Sequence, residues 1–352
     1  MTVNLNMSKI MLAAILIASF TAGAFLSYLW VVGYYVSLEI NVPDKPAICI
    51  QNFTVLAENP SFFNITVLNP SFSPREARIL GVQVLTGDGA LHQVSQINPE
   101  ISGGGYRLDV GSSETFVCSW KWASYAGQQI TVMVLVEEGS GATFITRLPF
   151  VGVDITDITL NPDCGNTFSL IIRNFEDSVS EVDLERVEVI VDELNYSVET
   201  EPKLPIKLKP ADSTSLLCKW NWTDYQGGTI TVIVRTEQGY AARKTYTIPV
   251  YVIFNVSEVK FNPADTTRFN ITLVNFEESL LALNVTSISI RLENGTVLKP
   301  INITPPLPFI LNVDETAVFV CEWNWSELRN EEIIITVSTE QGYKVKVAQR
   351  VP

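Results

Sequence analysis

Histidine is almost absent from this chain, which has a single one, His92, among 352 residues. Ser-His-Asp and Cys-His catalysis each need a histidine base, and no nucleophile motif lies near this one. The cysteines have no zinc-binding spacing, and no aspartate-rich loop has the spacing of a calcium site. We therefore expect His92 to be a structural or surface residue, and we expect no enzyme activity, no metal and no cofactor.

Charged residues are also scarce, at 18% against a usual share of about 25%. Acidic residues outnumber basic ones by 38 to 24, and the formal net charge is −14. Because a negative surface is repelled by phosphates, this balance argues against nucleic acid as a partner and against peripheral attachment to anionic lipid, and we expect no nucleic acid partner.

Two patterns that resemble reactive sites have simpler explanations. The glycine run 103–105 is too short for a phosphate loop and indicates a turn. The acidic pairs at 137–138 and 331–332 fall where hairpins or strands should end, so solvated turns explain them better than a glycosidase carboxylate pair.

A motif of the form Cys-X-Trp-X-Trp occurs three times, beginning at Cys118, Cys218 and Cys321. Strand side chains alternate between faces, so the cysteine and both tryptophans should point into a core, and the intervening residues should face water. A sugar-stacking platform is the alternative, but the cysteine on the same face favours core packing. The predicted core residues are Trp120, Trp122, Trp220, Trp222, Trp323 and Trp325, and the predicted water-facing residues are Lys121, Asn221 and Asn324.

The repeat extends well beyond this motif. Strand-like segments align at 63–69, 168–174 and 269–275, and a glycine-containing hairpin follows each motif at 137–139, 237–239 and 340–342. A corner residue suited to positive φ occurs at Gly127, Gly227 and Asn330, beside Tyr125, Tyr225 and Leu328. Such a corner tyrosine often bonds to the backbone in immunoglobulin-like folds, so its loss predicts a slightly weaker third corner. A repeat near 100 residues has the size of one β-sandwich.

The predicted fold class is therefore all-β, with three tandem immunoglobulin-like antiparallel β-sandwich domains preceded by one N-terminal transmembrane helix. The predicted boundaries are a cytoplasmic segment 1–9, the helix 10–38, and domains at 39–150, 151–250 and 251–352. The linkers between domains are short, which predicts a stiff rod.

The N-terminal segment sets the expected location. Residues 10–38 contain no charge, a run long enough to span a bilayer with some tilt. Lys9 on one side and tyrosines and a tryptophan on the other favour an N-terminus inside and domains outside. The alternative is a cleaved secretory signal with a cut site at 22–24.

Glycosylation motifs are dense in the part expected outside the cell. Asn6 also fits the motif but lies on the expected inner side. The candidates are Asn52, Asn64, Asn195, Asn221, Asn255, Asn270, Asn284, Asn294, Asn302 and Asn324.

Five cysteines leave at least one unpaired, and disulfides persist outside the cell. Pairing by domain predicts Cys49 with Cys118 and Cys164 with Cys218. Cys321 is then expected to be a small buried thiol, with an intermolecular bridge as the alternative.

Taken together, these motifs resemble those of archaeal cell-surface proteins, especially crenarchaeal ones, with an N-terminal membrane segment and repeated immunoglobulin-like domains. The resemblance implies a non-catalytic, membrane-anchored surface glycoprotein whose partner is an envelope or surface-layer protein or another copy. A pilin-like filament subunit is the alternative, but Lys9 is followed by Ile10 and Met11 rather than by the small residue of a pilin cleavage site. An enzyme or solute-binding component is the remaining class.

Overall fold

The structure is a computed structural model that describes residues 3–37 and 45–352, with side chains at 9–31 and 45–352. Helix α1 covers Val3–Ser37. Within it Lys9–Val31 has a mean hydropathy of 2.1, and none of this span is buried inside the protein. The predicted N-terminal helix is confirmed, and its length and composition suit either a membrane anchor or a signal sequence. Residue 38, its predicted end, lies outside the described residues.

The rest of the chain is almost entirely strand, and the strands pair within three groups. We call the groups unit 1 (residues 45–150), unit 2 (151–250) and unit 3 (251–352). Unit 1 contains β1 Cys49–Val55, β2 Phe62–Leu68, β3 Ala77–Leu85, β4 Leu91–Gln93, β5 Gln96–Asn98, β6 Tyr106–Leu108, β7 Ser113–Ser119, β8 Gln129–Val136 and β9 Ala142–Arg147.

Unit 1 is a sandwich of two antiparallel sheets. One sheet has the order β1-β2-β7-β5, and the other has the order β4-β3-β8-β9 with β6 also beside β3. This is the strand order of a seven-stranded immunoglobulin-like sandwich with two additional short strands, β4 and β6. The predicted all-β, immunoglobulin-like class is therefore confirmed.

Unit 2 differs in one strand. Its strands are β10 Val153–Leu160, β11 Thr167–Asn174, β12 Val182–Val191, β13 Leu194–Glu201, β14 Ile206–Leu208, β15 Ser213–Lys219, β16 Thr229–Thr236 and β17 Ala241–Thr247. The first half of β13 pairs with β12 and its last three residues pair with β15. In unit 2 the single strand β13 therefore belongs to both sheets. In unit 1 two separate strands occupy the equivalent positions, β4 in one sheet and β5 in the other.

Unit 3 returns to the arrangement of unit 1. It contains β18 Phe254–Asn262, β19 Asp265–Asn275, β20 Leu283–Leu292, β21 Val297–Leu298, β22 Asn302–Thr304, β23 Phe309–Leu311, β24 Glu315–Glu322, β25 Glu332–Thr339 and β26 Lys344–Arg350. Its sheets have the orders β18-β19-β24-β22 and β21-β20-β25-β26, with β23 beside β20.

Strand register explains why the repeated motif is buried. Cys118 lies opposite Phe63, Cys218 opposite Phe168, and Cys321 opposite Phe269, so each cysteine occupies the same central position. All six of these side chains are buried. The buried residues of units 1 and 2 form one continuous apolar cluster that also includes Leu283 and Tyr343 of unit 3, whereas most buried apolar residues of unit 3 form a second cluster. The division into domains at 151 and 251 therefore stays a prediction, because the core does not divide at the first of these boundaries.

Candidate functional site at the unit junctions

The second tryptophan of each motif lies just beyond its strand, at the start of a short 3-10 turn (Ala123–Tyr125, Thr223–Tyr225 and Ser326–Leu328). Trp122, Trp222 and Trp325 are fully buried. Each indole Nε1 donates to a backbone oxygen one residue before the core phenylalanine, at 2.9–3.1 Å. Because the polar tip is satisfied, the ring can be buried without cost from an unpaired donor.

The first tryptophan stacks on the corner tyrosine in units 1 and 2. The ring centroids of Trp120 and Tyr125 are 5.4 Å apart, and those of Trp220 and Tyr225 are 5.1 Å apart. Both tryptophans are half-buried, whereas Trp323 of unit 3 is buried.

The corner tyrosines bond to side chains, which corrects the expected bond to the backbone. The Tyr125 hydroxyl lies 3.1 Å from His92 Nε2, and the Tyr225 hydroxyl donates to the Tyr196 hydroxyl at 3.2 Å. This bond and burial raise the pKa of Tyr225 to about 12. The single histidine is thus part of an aromatic cluster at the corner. The equivalent pair in unit 3 is Leu298 and Leu328, which pack against its core.

A tyrosine from unit 2 forms the first junction. Tyr240 lies at the β16–β17 hairpin and is buried. Its hydroxyl donates to the Ala57 carbonyl of unit 1 at 2.9 Å. Its ring meets Trp122 edge-on, with centroids 6.4 Å apart. Burial raises the pKa of Tyr240, so the phenol stays protonated well above its ordinary range.

The second junction repeats this contact one unit further along. Tyr343, from the β25–β26 hairpin, is buried with its ring edge-on to Trp222 at 6.1 Å. Its hydroxyl has no hydrogen-bond partner within the described residues. The backbone provides the polar contacts instead, because Gly165 N donates to Gln341 O at 2.7 Å and the Thr223 hydroxyl donates to Gly342 O at 3.0 Å.

The two ends of the chain of units differ from the junctions. In unit 1 the hairpin position equivalent to these tyrosines is Ser140, which is exposed. In unit 3 the ring edge-on to Trp325 is Phe261 of the same unit, 5.2 Å away. The hairpin therefore has a buried tyrosine in units 2 and 3, which each follow another unit, and an exposed serine in unit 1.

The intervening residues of the three motifs differ in exposure. Lys121 and Asn324 are exposed, as predicted. Asn221 is half-buried, because its Nδ2 donates to Gly342 O at 3.3 Å and its Oδ1 accepts from the Thr223 hydroxyl at 2.6 Å. The expectation that Asn221 faces water is therefore wrong, since unit 3 covers it.

The other glycosylation candidates fall into two groups, and no glycan is established at any of them. Two are half-buried, Asn270 and Asn284. The exposed ones are Asn52, Asn64, Asn195, Asn255, Asn294, Asn302 and Asn324.

Neither predicted disulfide is present, since all five cysteines lie within residues 45–352 and all five are free. Cys49 lies opposite Leu68, whereas Cys118 lies opposite Phe63 at the other end of the same strand. That separation is about 17 Å at ~3.3 Å per residue, too far for a bridge. Cys164 lies exposed in the loop before β11, with its Sγ 3.2 Å from the Thr167 hydroxyl, whereas Cys218 is buried.

Burial also makes the central thiols unreactive. It raises the pKa of Cys118, Cys218 and Cys321 to about 12, so each stays protonated at neutral pH. Within the described residues no group of histidine, cysteine and carboxylate side chains is arranged to hold a metal. The contacts described above at the two junctions, between tyrosine and tryptophan rings and through hydrogen bonds to the backbone, hold each unit against the next.

Comparison with protein families and with curated proteins finds no match. Among solved structures, the archaeal flagellum of Methanospirillum hungatei strain JF1 is similar at 14% identity over 39% of this chain and 90% of that one, with a TM-score of 0.24. Drosophila OTK, extracellular domains 3–5, is similar at 11% identity over 86% of this chain and 99% of that one, with a TM-score of 0.26.

A third similar structure is the N-terminal eight Ig domains of Down Syndrome Cell Adhesion Molecule, at 12% identity and a TM-score of 0.22. The match covers 87% of this chain but only 36% of that one. At these identities the comparisons identify no partner or activity, and the immunoglobulin-like fold rests on the strand order described above.

Proposed function

We propose that this chain is a non-catalytic, membrane-anchored extracellular glycoprotein, a stiff three-unit rod that serves envelope structure, adhesion or protein–protein contact. Helix α1 is the anchor, with the N-terminus inside the cell and units 1 to 3 outside. The partner is an envelope or surface-layer protein, or another copy of the chain.

The observation that supports this proposal is the repeated junction. At both junctions a buried hairpin tyrosine meets a buried tryptophan of the preceding unit, and hydrogen bonds to the backbone join the same units. A hinge between units would expose these rings and leave backbone groups unpaired, which costs free energy at each junction. Three units of ~40 Å each, from about 12 strand residues, give a rod on the order of 120 Å.

Several side chains suit a structural role better than a catalytic one. The single histidine is bonded within an aromatic cluster, and the three central thiols are held protonated. Seven of the glycosylation candidates are exposed, so glycans can be attached to them without disturbing the core.

The test separates the anchor from the alternative, a subunit of an extracellular filament. Native cells are divided into washed membranes and sheared filaments, and mass spectrometry identifies the N-terminal peptide of this protein in each. An intact N-terminus found in membranes alone supports the anchored rod. A trimmed N-terminus in the filament fraction would replace the proposal with a filament subunit, and a trimmed, freely secreted protein would remove the anchor.

A further inference from the structure

The loop between β2 and β3 of unit 1, residues 69–76, has the same construction as its equivalents in units 2 and 3. A buried asparagine begins each loop and donates its side-chain amide to two backbone oxygens. A serine four residues later accepts a hydrogen bond from the backbone at the start of the unit, at 2.8–3.2 Å. The asparagines are Asn69, Asn174 and Asn275, and the serines are Ser73, Ser178 and Ser279.

The tip of this loop differs in unit 1 alone. Between the shared asparagine and serine, units 2 and 3 have two adjacent acids, Glu176 with Asp177 and Glu277 with Glu278. Unit 1 has Ser71 and Phe72 at these positions, and the Phe72 side chain is 81% exposed. The equivalent loops of units 2 and 3 expose aliphatic side chains, Val179 at 63% and Leu280 at 69%, whereas their phenylalanines, Phe175 and Phe276, are each 39% exposed. Unit 1 therefore differs in holding a largely exposed aromatic side chain where the other units have a carboxylate.

The loop lies at the end of unit 1 where the chain arrives from helix α1. Ala47 N donates to Ser73 Oγ at 3.2 Å, next to Phe72 in the sequence. The hairpin after β8 lies at the same end, since Glu137 N donates to Arg78 O. Eight peptide steps separate Ser37, the last helical residue described, from Lys45, so roughly 28 Å is the farthest they can be apart at ~3.5 Å per residue.

Charges at this end of unit 1 are compensated. Arg75 pairs with Glu138, and Arg78 lies 3.7 Å from Glu137. Residues 45–150 contain six basic and eight acidic side chains, against nine and sixteen in 151–250 and eight and twelve in 251–352. Unit 1 is therefore the unit least repelled by lipid phosphates, although the chain as a whole is acidic.

We propose that Phe72 inserts into the headgroup region of the bilayer that helix α1 crosses, so that unit 1 is held against the membrane at a second point. Aromatic side chains prefer that region, and a second contact fixes the direction in which the units leave the surface. This inference rests on the proposed membrane anchoring by α1.

The experiment uses the full chain in phosphatidylcholine vesicles. The exposed cysteines are first removed as Cys49→Ser and Cys164→Ser, and a nitroxide spin label is then attached at Ser71→Cys. A label at Glu176→Cys is the matched control in unit 2, and a label at Ile15→Cys reports on the helix. Power saturation compares accessibility to oxygen, which concentrates in the bilayer, with accessibility to a water-soluble nickel complex.

We expect the oxygen-to-nickel ratio to be higher at position 71 than at position 176. Phe72→Asp should lower the ratio at 71 to that at 176 and leave the ratio at 15 unchanged; circular dichroism checks that this exposed substitution leaves the fold intact. Equal ratios at 71 and 176, or no response to Phe72→Asp, overturn the inference if the label at 15 is in the bilayer. A water-accessible label at 15 overturns the membrane anchoring itself, and the inference with it.

Discussion

At the scale of single residues, the two junction tyrosines are chemically equivalent but differ in one hydrogen bond. Tyr240→Phe removes the donor to Ala57 O, and we expect a loss of about 1 kcal/mol in the free energy of unfolding. Tyr343→Phe is the matched control, because its buried hydroxyl has no partner in the described residues. We expect that variant to be unchanged or slightly more stable. Urea denaturation of both variants measures the difference, and equal losses would contradict the contribution assigned to the bond with Ala57 O.

The buried thiols predict a decline of stability at alkaline pH. An unfolded cysteine ionises near pH 9, whereas burial raises the folded pKa of Cys218 to about 12. The folded state therefore binds more protons above pH 9, so stability is complete below that pH and falls as pH rises towards 12, by at most about 1.4 kcal/mol per pH unit for each thiol.

Cys218→Ala tests this decline. Chemical denaturation at several pH values should show a shallower fall for the variant than for the unmodified protein, whatever its stability at neutral pH. Parallel curves would mean that this thiol does not contribute.

Two glycosylation motifs at equivalent positions should differ in whether they carry a glycan. Asn324 is exposed, whereas Asn221 donates to Gly342 O and the Thr223 hydroxyl of its motif is buried at the same junction. We expect glycopeptide mass spectrometry to find a glycan on Asn324 and none on Asn221. Modification of Asn221 in the folded protein would show that the second junction opens.

Residue burial was predictable where a single repeat explains it. The alternation predicts that Cys218, Trp220 and Trp222 face the core; Cys218 and Trp222 are buried, whereas Trp220 is half-buried. It could not predict the environment of Asn221, because that depends on the neighbouring unit. The signal for the junctions was present, since a tyrosine follows the hairpin glycine in units 2 and 3 and a serine follows it in unit 1.

At the scale of elements, the buried asparagine that begins each β2–β3 type loop holds two strands in place. Asn174 Nδ2 donates to Ser180 O at 3.2 Å and to Leu208 O at 3.1 Å. In Asn174→Asp a carboxylate would face both carbonyl oxygens, which costs about 3 kcal/mol or more at neutral pH.

The loss in Asn174→Asp should depend on pH. Burial beside two carbonyls raises the folded pKa of the new carboxyl above its unfolded value, so the deficit is smallest at acid pH and grows as pH rises. Asn161→Asp is the control, because exposed Asn161 only accepts a bond, from Asp163 N. Thermal unfolding at pH 4 and pH 7 measures both; a deficit that does not change with pH would contradict this account.

Element positions were predicted well, and element partners were not. The segments 63–69, 168–174 and 269–275 form strands, except that β2 ends at Leu68, and the corner residues Gly127, Gly227 and Asn330 have positive φ as expected. The predicted disulfides are wrong because pairing by domain ignores register. Sequence spacing does not show that Cys49 of β1 and Cys118 of β7 lie on opposite sides of β2 and near its opposite ends. The repeat also did not indicate the continuous strand β13, because the equivalent stretch of unit 1 forms two strands, β4 and β5.

At the scale of the whole molecule, the junction tyrosines should determine stiffness. Replacing both, as Tyr240→Ala with Tyr343→Ala, removes the rings that meet Trp122 and Trp222, so the units should move relative to one another. Pulsed electron resonance between labels in units 1 and 3 should give a broader distance distribution than in the unmodified protein. Ser140→Ala, at the equivalent hairpin where no unit docks, should leave the distribution unchanged. An unchanged distribution in the double variant would contradict the stiff rod.

Tandem copies of one fold are prone to exchanging strands between neighbours while they fold. Here each corner has its own residues: Tyr125 bonds to His92, Tyr225 bonds to Tyr196, and the equivalent positions in unit 3 are Leu328 and Leu298, which pack against its core. An exchange between units 2 and 3 would set a leucine against a tyrosine and leave a hydroxyl unpaired, which costs free energy that correct pairing avoids. The different residues at the corners therefore disfavour exchanged strand pairing among three sandwiches of similar fold on one chain.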